Sequence, residues 1–94
     1  MVIVHAHPEG DGWVCEVRVD HDGAQTKHSV RVSQQDVDRW ARGTDREDVE
    51  SLVARSFAFL LEREPPSAIL AAFDLSVIQR YFPEYDSIFS RRAT

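Results

Sequence analysis

The sequence holds a single cysteine, Cys15, in 94 residues, so no internal disulfide can form and a reducing, cytoplasmic compartment is expected. It has no run near the ~20 apolar residues that a membrane span needs. Nor does Met1 to His7 carry a basic stretch followed by an apolar one, so no secretory leader is expected. Positive charge is also scarce: 11 Lys and Arg stand against 16 Asp and Glu, giving a net charge of −5 and a pI near 5.2. That balance argues against gripping nucleic acid by bulk electrostatics. The local basic pair Arg91 and Arg92 reads instead as a complement to the carbonyl end of a helix.

Motifs that carry chemistry are missing as well. With four glycines in the chain there is no glycine-rich phosphate loop, and no nucleophile elbow or paired metal ligands occur. The acidic residues are plentiful, but none falls in a pattern that would hold two carboxylates across a substrate. Cys15 and His28 could pair as thiolate and base, yet both fall mid-strand on a packing face, where a thiol is inert. No catalytic residue, nucleic-acid-binding residue or cofactor is assigned.

What is present suffices for one folded domain spanning residues 1–94. With 43% hydrophobic and 29% charged residues the chain has enough apolar surface for a single core and enough charge to stay in solution. A chain this short buries only about 60 to 65% of its unfolded surface, so an added interface would help it.

The first 33 residues read as strands. Trp13, Cys15, Val17 and Val19 alternate with Glu16, Arg18 and Asp20, and Thr26, His28, Val30 and Val32 alternate with Lys27, Ser29 and Arg31. Asp22-Gly23 between them is a favoured two-residue hairpin turn. It sets Val19 opposite Thr26, Val17 opposite His28, Cys15 opposite Val30 and Trp13 opposite Val32, which brings both apolar sets to one face. Val2 to His7 forms a further strand whose register has two alternatives. A loop from Glu9 to Gly12 places Val4 opposite Val17 and leaves His5 and His7 on the solvent face. A loop that includes Pro8 moves the pairing by one, so that His5 meets Cys15 and His7 meets Trp13 on the buried face.

The second half reads as helices. Ser33 caps a short stretch, Gln34 to Trp40, that Gly43 ends. Thr44-Asp45-Arg46-Glu47 forms a capping box that opens a long helix within 44–64. Its apolar stripe is Val49, Leu52, Val53, Ser56, Phe57, Leu60 and Leu61, and Pro65-Pro66 stops it. Phe59 lies off the stripe and needs a second element to cover it. Two short helices within 67–90, Ser67 to Phe73 and Leu75 to Phe82, supply that cover, with Ser67 and Asp74 as caps, and Glu84 to Arg91 adds a last helical turn. The expected fold class is α+β: a three-stranded antiparallel sheet packed against a long helix and short C-terminal helices.

The run Ser56-Phe57-Ala58-Phe59-Leu60-Leu61-Glu62-Arg63-Glu64-Pro65, then Ile69-Leu70, Phe73-Asp74-Leu75, Val77-Ile78 and Arg80-Tyr81-Phe82-Pro83-Glu84-Tyr85, resembles a family of small uncharacterised bacterial proteins. The match covers about half of the chain. It implies a bacterial origin and a strand-rich front half within one domain, and it brings no activity with it.

Two candidate sites follow. Arg80, Tyr81, Phe82 and Tyr85 combine arginine with aromatics, the composition of interface hot spots, and the same residues could equally pack a helix end on the sheet. In the second register His5, His7, Cys15 and His28 would gather on one face, a donor set that suits zinc, against a bland alternative of two exposed histidines, a rim histidine and a small core cysteine. The expected function is a non-catalytic protein-interaction or self-associating module, with another protein or a second copy as partner. An antitoxin-like regulatory domain, by fold analogy, and a metal or thiol site on the sheet are the alternatives.

Overall fold

The computed structural model describes residues 1–90, so the assignment of Arg91 and Arg92 lies outside the described residues. Three antiparallel strands come first: β1 (Val2–Glu9), β2 (Gly12–His21) and β3 (Ala24–Val32). The Asp22-Gly23 turn forms as its residue types require, with φ of 53° and 80°, and sets the expected pairs from Val19 and Thr26 to Trp13 and Val32. Between β1 and β2 the pairing is Val4 with Val17, His5 with Glu16 and Ala6 with Cys15. This is the first of the two registers. The connection is tighter than the expected loop, because the ladder continues through Pro8 and Trp13 to Glu9 and Gly12.

Pro8 can stand inside a strand because of the geometry of this ladder. Met1 and Asp20 exchange both backbone hydrogen bonds, so odd residues of β1 bond to β2 and even residues turn their N–H groups away from it. Proline, which has no N–H, sits at an even position on an edge strand.

The sheet has a fourth strand, which corrects the three-stranded expectation. Residues 67–73 do not form a helix. Pro66–Ala68 make one 3₁₀ turn, Ile69 is extended, and β4 (Ala72–Asp74) runs parallel to β3 with Phe73 beside Val30. The free edge of β3 explains this outcome. Ser29 N–H donates to the Ala71 carbonyl and Leu75 N–H to the Arg31 carbonyl, each at 2.8 Å, so the segment satisfies its backbone on the sheet. Ser67 and Asp74 therefore cap nothing.

The helices are α1 (Gln34–Trp40), α2 (Arg46–Leu61), α3 (Val77–Tyr81) and α4 (Glu84–Phe89). Ser33 caps α1 as expected, its Oγ accepting the Asp36 N–H at 3.0 Å while the Asp36 carboxylate takes the Ser33 N–H at 3.3 Å. The cap of α2 lies one residue beyond the expected one. Asp45 holds that position, and the Asp48 carboxylate accepts its N–H at 3.1 Å. Gly43 serves this cap rather than ending α1, since a Cβ there would run into the Asp48 carboxylate.

One core results. Cys15, Val17, Val19, Val30 and Val32 from the sheet pack against Val49, Leu52, Val53, Phe57 and Leu60 of α2. Phe59 lies on the second edge of α2 and is buried, with Phe82, Tyr85 and Phe89 standing edge-on to its ring at 5.8, 5.5 and 5.8 Å. No helix among the described residues is long and apolar enough to cross a membrane.

Candidate functional site

The C-terminal segment builds two different environments from one aromatic-rich stretch. On one side Tyr85 is fully buried between Trp40, 5.0 Å away and perpendicular, and Phe89, stacked at 4.3 Å. Its polar tip is satisfied in the interior. The Ser56 hydroxyl donates to the Leu52 carbonyl at 2.7 Å, and the Tyr85 hydroxyl donates to Ser56 Oγ at 2.7 Å. Burial pushes the Tyr85 phenol above its ordinary range. Trp40 Nε1–H donates to Asp86 Oδ1 at 2.9 Å, and the Arg39 guanidinium meets the same oxygen at 2.9 Å. Two buried aromatics thus tie α4 to α1 and α2.

On the other side lies an apolar groove of about 300 Å³ between the end of α2, the 3₁₀ turn, β4 and α3. Its floor is Leu60, Ile69, Phe73 and Ile78, and its rim carries Leu70 and Tyr81, 52% and 69% exposed. Glu64 is the one charged residue in the lining, and no described residue forms an ion pair with it. A groove of this size is at the small end for ligand sites and takes one or two large apolar side chains. Its rim is fixed from the sheet. His28 Nδ1–H donates to the Leu70 carbonyl at 2.7 Å, and in the neutral ring Nε2 accepts from the Thr26 hydroxyl at 2.8 Å.

The four aromatic-site candidates therefore part company. Arg80 and Tyr81 are exposed, Phe82 is half-buried against Phe59, and Tyr85 belongs to the interior, where no partner can touch it. Arg63 lies between the two environments: its guanidinium stands 3.6 Å from the centre of the Phe59 ring and 6.0 Å from that of the groove-lining Phe82, and it reaches Glu84 of α4 at 3.4 Å.

The candidate metal set is dispersed. His5 and His7 stand exposed on the open face of the sheet, while Cys15 and His28 are buried on the other, because adjacent side chains of a strand alternate and the register is the first one. His28 already uses both ring nitrogens. Burial, with the Glu50 carboxylate nearby, pushes the Cys15 thiol up to about 12, which keeps it protonated and unreactive. No group of three or more His, Cys, Asp or Glu among the described residues could hold a metal ion.

The groove was not legible in the sequence, since it forms between segments that touch only after β4 has joined the sheet. The one available signal was Tyr81, within the arginine–aromatic run from Arg80 to Tyr85, since Leu70 shares the helical spacing of Ile69 and Phe73. No protein-family model, curated protein or solved structure matches the chain.

Proposed function

We propose that the chain is a non-catalytic protein-interaction module whose docking surface is the groove between β4 and α3. The observation that carries this reading is the pair Leu70 and Tyr81, held exposed at 52% and 69% on the rim of an apolar floor. Large aromatic and aliphatic side chains around a dry centre are how protein interfaces concentrate their binding energy. Glu64 adds a sign to the partner: a protein segment that offers one large apolar residue beside a Lys or Arg. A bacterial cytoplasmic setting accompanies the proposal, supported by the C-terminal signature and by a lone cysteine that the fold buries.

Selection from an unbiased peptide-display library tests it. The expected enrichment is for an apolar residue next to a basic one, lost with Leu70→Asp and turned toward acidic neighbours with Glu64→Lys. Peptides that bind the Leu70→Asp variant as well as the parent would overturn the reading.

A further inference from the structure

The two edges of the sheet are unequally protected. β4 is three residues long and ends in the exposed carboxylate Asp74, both of which discourage pairing with another strand. β1 is eight residues long, and its protection covers only one half. The outward N–H of Ala6 is taken by Glu50 Oε2 of α2 at 2.9 Å, and Pro8 has none to offer. Val2 and Val4 remain. Their outward N–H and C=O groups have no partner among the described residues, and from Met1 to His5 the strand carries no Lys, Arg, Asp, Glu or proline side chain. This open half also holds Met1 and Ile3, two of the five large hydrophobic residues exposed among those described, at 74% and 37%.

We infer that the open half of β1 pairs antiparallel with β1 of a second copy, joining two four-stranded sheets edge to edge. The occupant follows from the hydrogen-bond pattern. With a two-fold axis through Ile3, Val2 of one copy stands opposite Val4 of the other. Each such pair exchanges two N–H···O bonds, so four backbone bonds form from the groups that are free. Centring the axis on Val4 instead would engage Ala6, whose N–H Glu50 already holds. Side chains match as well as backbone. Directly opposed residues share a face, so the two Ile3 side chains meet on the open face, while Val2 and Val4 extend the apolar face next to the core.

Charge favours the same site. Two chains of net charge −5 repel, and the stretch from Met1 to His5 adds no carboxylate of its own to that repulsion. α2 packs on β1, where Glu50 reaches Ala6, and runs on to Phe57 beside His28 and Phe73. The contact is short and falls below the ~800 Å² per partner of a standard interface, so the association is weak and concentration-dependent. It is independent of the groove.

Sedimentation equilibrium of the full chain from about 10 µM to about 1 mM tests it, with amide exchange measured at both ends of that range. The expected result is a monomer–dimer equilibrium in which exchange at Val2 and Val4 slows as concentration rises. Ile3→Lys sets like charges at the two-fold axis on an exposed position and is expected to weaken association about tenfold. Val4→Pro removes one donor per copy, for an expected loss of about thirtyfold. Leu70→Asp, in the groove, leaves association unchanged. A chain that stays monomeric at about 1 mM overturns the inference, as does a dimer that Ile3→Lys leaves intact or that Leu70→Asp dissolves.

Discussion

Tyr81 and Tyr85 lie four residues apart, share one aromatic-rich stretch, and have opposite fates. Tyr85 closes an interior in which the polar tips of both aromatics are paired: its hydroxyl reaches Ser56, and the indole of neighbouring Trp40 reaches Asp86. Arg55, over the Phe89 ring, is the exception there, with two buried guanidinium nitrogens that have no hydrogen-bond partner among the described residues. Tyr81 stands 69% exposed at the rim of the groove, and its hydroxyl has no partner among the described residues. Aromatic composition alone does not separate a lock from a landing surface. Whether the protein itself supplies a partner for the polar end does, because a buried hydroxyl left alone costs about 1 to 3 kcal/mol and a solvated one costs nothing.

The contrast can be broken or sharpened by measurement. The largest effect is expected from Tyr85→Ala, which empties a site walled by Trp40, Phe59 and Phe89 and should cost about 3 to 5 kcal/mol in denaturant unfolding. A cost below that of Tyr81→Ala would reverse the assignment of the two residues. Tyr85→Phe keeps the ring and leaves Ser56 Oγ without its donor, for an expected cost of about 1 to 3 kcal/mol by the same measurement.

Cys15 reports on how dry the core is. Its thiol stands at about 12 in the folded chain against an ordinary 9.0, so above pH 9 the unfolded state releases a proton that the folded state keeps. Stability should therefore fall with rising pH between 9 and about 12, by up to about 1.4 kcal/mol per pH unit. Cys15→Ala should flatten that slope, leaving the part that Tyr85 contributes in the same direction. A slope unchanged by the substitution would mean that the thiol is not buried as described. The smallest effect belongs to Tyr81→Ala, expected within about 0.5 kcal/mol of the parent in unfolding while peptide binding is lost.

The front of the molecule was readable because two signals agree there. Asp22-Gly23 dictates a turn, and the alternation from Trp13 to Val32 dictates which residues face each other, so turn and pattern fix the same register. The stripe of α2 was equally plain, and its start was displaced by one residue because Thr44 and Asp45 are both good caps. β4 was hidden. Three residues are too few for alternation to show, and Ile69, Leu70 and Phe73 have helical spacing. What decides the conformation of that segment is the vacant edge of β3, a partner more than 40 positions away. The groove inherits this illegibility, since β4 is one of its walls. The register of β1, open between two alternatives, is settled by burial: Val4 and Ala6 turn toward the core, and the histidines go outward.

Because Tyr81 and Tyr85 are the only tyrosines, fluorotyrosine incorporation gives two fluorine NMR signals, one from each environment. Titration with an apolar–basic peptide should move the Tyr81 signal in a saturable way and leave the Tyr85 signal in place, with no shift in the Leu70→Asp variant. A Tyr85 signal that moves first, or a Tyr81 signal that never moves while peptide binds, would contradict the division between lock and landing surface.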